Sequence, residues 1–266
     1  MIYKKILLGI ISGLLLSGTN ILADDNKARA IMEKVDARDD GKTLEQNMKM
    51  ILIGKNGKKR IRTLKTYNKD FGKDEYQIMF FKSPSDVKNT GFLTYDYDRA
   101  NKDDDQWLYL PALKKVKRIP SKNKSSSFMG SDFSYFDLTK RNLEEYDFKL
   151  LKESSVRGKA VWVIEAVPRT SKILKKSGYT KTVAMVRKDN YVVVQSIGFL
   201  QNGKVKYFEV NRMHRQKGIW LPDEMTMMTK KGTRTLHKTV LRFSNIKLNQ
   251  PINDSTFSTR RLEKGL

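Results

Sequence analysis

The chain has 266 residues, no cysteine, and a formal net charge of +24 from 53 Lys and Arg against 29 Asp and Glu. The missing cysteine excludes disulfides, thiolate metal sites, a cysteine nucleophile and lipidation of the bacterial lipoprotein type, so a packed core must carry the stability. The basic excess favours anionic partners such as an anionic membrane surface. Its spread along the whole length, rather than in one arm or helix, argues against nucleic acid as the partner.

Lys4 and Lys5, the apolar run from Ile6 to Leu16, and the small polar residues Ser17 to Asn20 before Ile21-Leu22-Ala23 have the layout of a cleavable secretory signal. The apolar run is too short to span a bilayer, which needs about 20 residues. Cleavage is expected after Ala23, giving a leader over 1–23, a single domain over 24–266 and a periplasmic location. Loss of Lys4 and Lys5 with the leader lowers the net charge to +22. Next comes an amphipathic helix over 24–37, in which Ala28, Ile31, Met32 and Val35 form one apolar stripe.

Alternation then takes over. Met48, Met50 and Leu52 alternate with Asn47, Lys49 and Ile51, and Gly54-Lys55-Asn56-Gly57 makes a hairpin turn into a strand over 60–67. Further strands are expected over 75–82, 91–97, 106–110 and 115–119. After a loop and a short helix near 133–138 they resume over 146–152, 159–167, 181–188, 191–200, 204–214, 219–228 and 234–246. Corners such as Arg157-Gly158, Asn202-Gly203, Lys217-Gly218 and Lys231-Gly232 supply the positive φ that tight turns need. Regular hairpins with few helices predict one mainly β domain, an antiparallel meander that is closed or strongly curled. Its strands are rich in Met and aromatic residues, and Met suits surfaces that adapt to variable apolar shapes.

The segment from Asp105 to Leu138 stands apart. A short aromatic strand, Trp107-Leu108-Tyr109-Leu110, ends in Pro111, and a basic strand follows from Lys114 to Ile119. A Ser/Lys loop then runs into Phe128-Met129-Gly130-Ser131-Asp132-Phe133. Exposed Phe and Met are unfavourable in water, so the loop is expected to act as a flap over an apolar surface.

Catalytic chemistry is hard to assemble. His214 and His237 lie on separate strands without metal-ligand spacing, and no nucleophile-elbow motif is present. Ser121 to Lys124 fits S-x-x-K without the partner motifs of penicillin-binding enzymes. Asp103-Asp104-Asp105 lacks calcium-loop spacing. No phosphate-binding glycine loop occurs. The chain therefore reads as a non-enzyme with no cofactor and no metal.

The helix, the antiparallel body, Trp107 to Pro111, Arg118-Ile119, Phe128 to Phe133, Asp137-Leu138 and the ending Phe257 to Glu263 together resemble the outer-membrane lipoprotein-sorting family, in its longer LolA-like branch. The resemblance implies a single strongly curved antiparallel sheet, an incomplete β-barrel of LolA/LolB type covered by a few helices, with acyl chains held between. It also implies a carrier role for lipoprotein acyl chains or other lipid. The implied partners are an inner-membrane transporter of RND or ABC type and an outer-membrane acceptor. Trp107, Tyr109, Leu110, Phe128, Met129 and Phe133 are then the expected cavity or flap residues, with Met48, Met50 and Leu52 on the sheet and Lys117 and Arg118 as head-group contacts. The alternative is an accessory protein of an RND-type exporter that binds protein or another hydrophobic ligand.

Overall fold

A computed structural model describes residues 24–99 and 102–266, so the expected leader over 1–23 lies outside the described residues. Helix α1 (Asn26–Asp36) is capped by Asp25, whose carboxylate accepts from the Lys27 and Ala28 N–H groups at 2.9 and 3.2 Å. Such a cap satisfies donors that a helix start leaves free. The same side chain also accepts from Leu150 N–H at 3.1 Å, which ties the helix to the sheet.

The chain then forms strands β1 (Thr43–Gly54), β2 (Lys59–Phe71), β3 (Asp74–Ser83), β4 (Gly91–Asp96), β5 (Asp105–Leu110) and β6 (Lys115–Arg118). Strands β7 (Tyr146–Val156) and β8 (Lys159–Pro168) precede helix α2 (Ser171–Ser177). The remaining strands are β9 (Tyr179–Arg187), β10 (Val193–Leu200), β11 (Lys204–Gln216), β12 (Ile219–Lys231) and β13 (Arg234–Leu248), and helix α3 (Thr259–Lys264) closes the chain. All thirteen expected strands are present.

They form one sheet in the order β6-β5-β4-β3-β2-β1-β13-β12-β11-β10-β9-β8-β7. Every connection is to a sequence neighbour except the central β1–β13 pairing, which runs from Leu44↔Leu248 to Gly54↔His237. The sheet is open, with β6 and β7 as its two edges. Residues 119–145 link those edges by crossing the face on which Met48, Met50 and Leu52 lie. Because side chains alternate across a strand, that face collects Met48, Met50, Leu64, Met79, Phe81, Phe92 and Leu241 into a core with Phe128 and Phe133 of the crossing segment. No helix among the described residues is long and apolar enough to cross a membrane.

The crossing segment lies over the apolar face of the sheet, with Phe128 and Phe133 packed into it. It doubles back at Met129-Gly130, where φ is 50° and 75°, and a bridge joins Ser127 to Ser134. The turn drives Phe128 inward until it is only 1% exposed, with ring centroids 5.0 Å from Phe92, 5.6 Å from Tyr135 and 6.1 Å from Phe81. Phe128 is a wedge in the core. The expected helix near 133–138 is only a 3₁₀ turn, Phe136–Leu138, because the Asp137 side chain accepts from Ser134 N–H and fixes a tight turn instead.

The opposite face is covered too, by the C-terminal segment. Phe257 and Leu262 bury Ile78, Phe80 and Leu93 there. Gly91 permits this approach, since a Cβ on it would lie 2.7 Å from Leu262 Cδ1. Helices α2 and α3 were not legible in the alternation pattern.

Truncating a buried phenylalanine typically costs about 3–5 kcal/mol. Phe128→Ala is expected to lower unfolding stability by that amount in chemical denaturation. A free flap would leave the midpoint unchanged.

Candidate functional site

The crossing segment is fastened along its length by buried polar groups. Lys124, fully buried, donates to the Asp104 carbonyl at 2.7 Å and lies 3.4 Å from the Asp104 carboxylate. Burial pushes its ammonium pKa down, and the neighbouring Asp104 opposes that shift. Asp132 accepts from the Thr229 and Thr239 hydroxyls at 2.6 and 2.7 Å and pairs with His237 Nδ1 at 2.6 Å, which binds the segment to β12 and β13. Arg62 of β2 donates to the Met129 carbonyl, and Gln106 of β5 donates to the Tyr135 carbonyl.

Asp137 is the second anchor. It accepts from the Tyr179 hydroxyl at 2.8 Å and from Lys206 Nζ at 2.9 Å, joining the segment to β9 and β11. Burial opposes its charge, but Lys206, Ser134 and Tyr179 together hold its carboxyl below the usual range. Tyr179 reaches it because Gly198 on β10 has no side chain; a Cβ there would sit 2.4 Å from the tyrosine ring.

Two largely apolar clefts flank the part of the segment from Phe133 to Lys140. One, of ≈ 370 Å³, lies between Met32 and Val35 of α1 and Ala184, Val193, Phe208 and Met227 of the sheet. The other, of ≈ 330 Å³, is walled by Met48, Met79, Met225, Leu241 and Phe243. Phe133, Asp137, Thr139 and Lys140 line both. Each volume falls within the range of roughly 300–1,000 Å³ usual for small-ligand pockets. A third and larger cleft, ≈ 880 Å³, is lined by charges of both signs, including Glu75, Asp96, Asp104, Lys140, Arg141 and Lys176.

Seven of the residues singled out from the sequence come together in this core: Met48, Met50, Leu52, Leu110, Phe128, Met129 and Phe133. Of these, Phe133 and Met48 line clefts, whereas Met50, Leu52 and Leu110 lie on the sheet beneath the segment and Phe128 and Met129 are the segment's own contribution to the core. Trp107 and Tyr109 are placed elsewhere. Alternation along β5 sends Leu108 and Leu110 to the concave face and Trp107 and Tyr109 to the other, where they pack with Tyr95, Val116, Phe257 and Leu262. Lys117 and Arg118 lie on edge strand β6 outside all three clefts; Arg118 is largely exposed and paired with Asp105. The cations that do line the apolar clefts are Arg38, Lys140 and Arg141. They escaped sequence reading because a lone charge in a loop looks the same whether or not it faces a cavity.

His214 Nδ1 pairs with Asp223 at 2.8 Å and His237 with Asp132, and among the described residues neither ring bonds a serine. No group of three or more His, Cys, Asp and Glu among the described residues is arranged to hold a metal.

The rim of the second apolar cleft is acidic. Burial, reinforced by the Asp104 charge, pushes the Asp96 carboxyl up to about 8, although it accepts from Lys140 N–H. Between pH 4 and 8 the folded protein therefore keeps a proton that the unfolded chain has lost, so this group makes stability fall as pH rises through that window. Asp96→Asn, a mimic of the neutral acid, is expected to unfold at a higher temperature than the wild type at pH 8, with the gap much smaller at pH 5. Parallel melting profiles at the two pH values would refute this assignment.

A family described only as "uncharacterized protein" matches residues 73–264. Among solved structures, the chain is similar to an outer-membrane lipoprotein-sorting protein domain from Vibrio parahaemolyticus, with 31% identity and a TM-score of 0.81 over 89% of this chain and 98% of that one. A DUF1329 family protein from Desulfovibrio piger matches at 29% identity and TM-score 0.81, again over 89% and 98% of the two chains. A LolA superfamily protein from Nitrosomonas europaea shares the fold at 16% identity and TM-score 0.66, over 88% and 98%. Nothing matches among curated proteins. With an open, curved sheet crossed by its own chain, a fold shared with the LolA superfamily protein, and this likeness to the Vibrio domain over nearly its full described length, the chain belongs to the outer-membrane lipoprotein-sorting family.

Proposed function

We propose that this chain is a periplasmic, non-enzymatic carrier that shields the acyl chains of lipoproteins or lipid-like cargo on the way to the outer membrane. The observation that carries this reading is the pair of apolar clefts flanking Phe133–Lys140. Moving an acyl chain through water is opposed by roughly 0.8 kcal/mol per CH₂, so a carrier must offer space lined by apolar side chains. Met, which supplies Met32, Met48, Met79, Met225 and Met227 to these walls, tolerates chains of different shape.

Release requires the space to open. In this reading the crossing segment is the fixed wall, because Asp132, Asp137 and Lys124 fasten it, and α1 is the movable one. The helix contributes Met32 and Val35 to the cleft and is held at its start by Asp24 and Asp25. The high positive charge supports delivery at anionic bilayers, with an inner-membrane transporter and an outer-membrane acceptor as partners.

Organic extraction of the purified protein followed by lipid mass spectrometry is expected to recover acyl-chain lipid at near-stoichiometric amounts. Ala184→Trp, which fills the cleft beneath α1, is expected to lower that recovery several-fold while the protein stays folded. A folded, lipid-free wild type that also fails to take up added lipid would contradict the carrier reading and favour a protein-binding accessory of an exporter.

A further inference from the structure

On the wall formed by β1 to β5, polarity is ordered in cross-strand rows. Met48, Leu64 and Phe81 stand opposite one another and are apolar. One step along, Thr66 faces Gln46 and Met79. The next step is polar from β2 to β5, since Asn68 pairs with Gln77, Gln77 with Thr94, and Thr94 with Gln106, with Leu44 of β1 opposite Asn68. The last is acidic, with Asp70 opposite Glu75 and Glu75 opposite Asp96. Three steps of two residues take the wall from hydrocarbon to carboxylate over about 20 Å.

The polar row has unmet hydrogen-bonding capacity. Asn68 Oδ1, Gln77 Oε1, Thr94 Oγ1 and Gln106 Oε1 are buried without a partner, as is Thr66 Oγ1 in the adjoining row. These are five of eight such atoms among the described residues, so they are concentrated on this wall. Thr66 and Gln106 are 0% exposed and Thr94 is 1% exposed, and Gln77 and Thr94 line the ≈ 330 Å³ cleft. Buried polar atoms are normally paired, and each exception calls for an explanation.

The chemistry of the row specifies its complement. Asn68 donates through Nδ2 to Glu75, and Gln106 through Nε2 to the Tyr135 carbonyl, so the amide oxygens of both remain as acceptors. Acceptors require N–H or O–H donors. A hydrocarbon offers neither, an ester offers only acceptors, and an alkyl phosphate would set its negative charge beside the Glu75 carboxylate, whose cation, Lys140, is already engaged with it at 3.1 Å. Resting on the carrier reading, we infer that this cleft selects amphiphiles whose chain–head junction carries N–H or O–H donors, that is, N-acyl amides or hydroxylated acyl chains, over plain esters and anionic alkyl phosphates.

Three probes of equal chain length test this by titration of the full chain: N-palmitoylethanolamine, methyl palmitate and hexadecyl phosphate. The wild type is expected to bind N-palmitoylethanolamine about tenfold more tightly than either of the others, the scale of one or two added hydrogen bonds. Thr94→Val with Gln77→Leu is expected to abolish that preference, so that the ethanolamide and the methyl ester bind equally, and to keep or raise the melting temperature of the free protein. Equal affinity for the ethanolamide and the methyl ester, or a preference that survives in the double variant, would mean that water alone satisfies the row and would overturn the inference while leaving the carrier reading intact. Tightest binding of hexadecyl phosphate would also overturn it. Failure of all three probes to bind the wild type would overturn the carrier reading and this inference together.

Discussion

A curved sheet whose concave face is lined with methionine and phenylalanine is unstable facing water, and the rest of this structure follows from how that face is covered. The sheet stays open, so its two edge strands must be linked, and the link passes over the apolar face. Residues 119–145 thereby become both the connection and the cover. Phe128 and Phe133 give the cover its apolar contact, while Asp132 and Asp137 give it a fixed address on β9, β11, β12 and β13. An unpaired buried carboxylate is costly, so these two acids specify one position for the segment rather than merely adding attraction.

That arrangement leaves space on either side of Phe133–Lys140, and the space differs in kind. Toward α1 it is bounded by a helix that touches the sheet mainly through one apolar stripe, in which Ala28 and Ile31 are buried and Met32 and Val35 face the cleft. Toward β3 and β4 it grades into polar and then acidic rows. A ligand with a hydrocarbon tail and a polar end suits such a gradient better than a uniformly apolar one. The acidic rim is notable in so basic a chain: it separates the surface charge that suits membrane docking from the local field a bound head group would meet.

Much of the fold was legible because each strand carries its own alternation and each corner its own turn residues. Met48, Met50 and Leu52 announced a half-buried strand, and Asn202-Gly203 or Lys231-Gly232 a hairpin. Strand β5 was harder. Both of its faces are apolar, since the C-terminal segment covers one and the crossing segment the other, so Trp107 and Tyr109 were grouped with Leu110 although alternation forbids neighbours from sharing a face. The anchoring roles of Asp132, Asp137 and Lys124 were invisible because their partners lie as many as 107 residues away, as for Asp132 and Thr239. Lys117 and Arg118 lie on edge strand β6, where such charges discourage pairing with other sheets.

The central claim is that acyl chains lie on the concave face beside the crossing segment. Photo-crosslinking with a palmitate probe bearing a diazirine near its terminal methyl, followed by peptide mapping, tests it most directly. The account predicts adducts on Met32, Met48, Phe133, Ala184, Phe208 or Met227. Adducts confined to the opposite face, around Trp107, Tyr109 and Phe257, would contradict it.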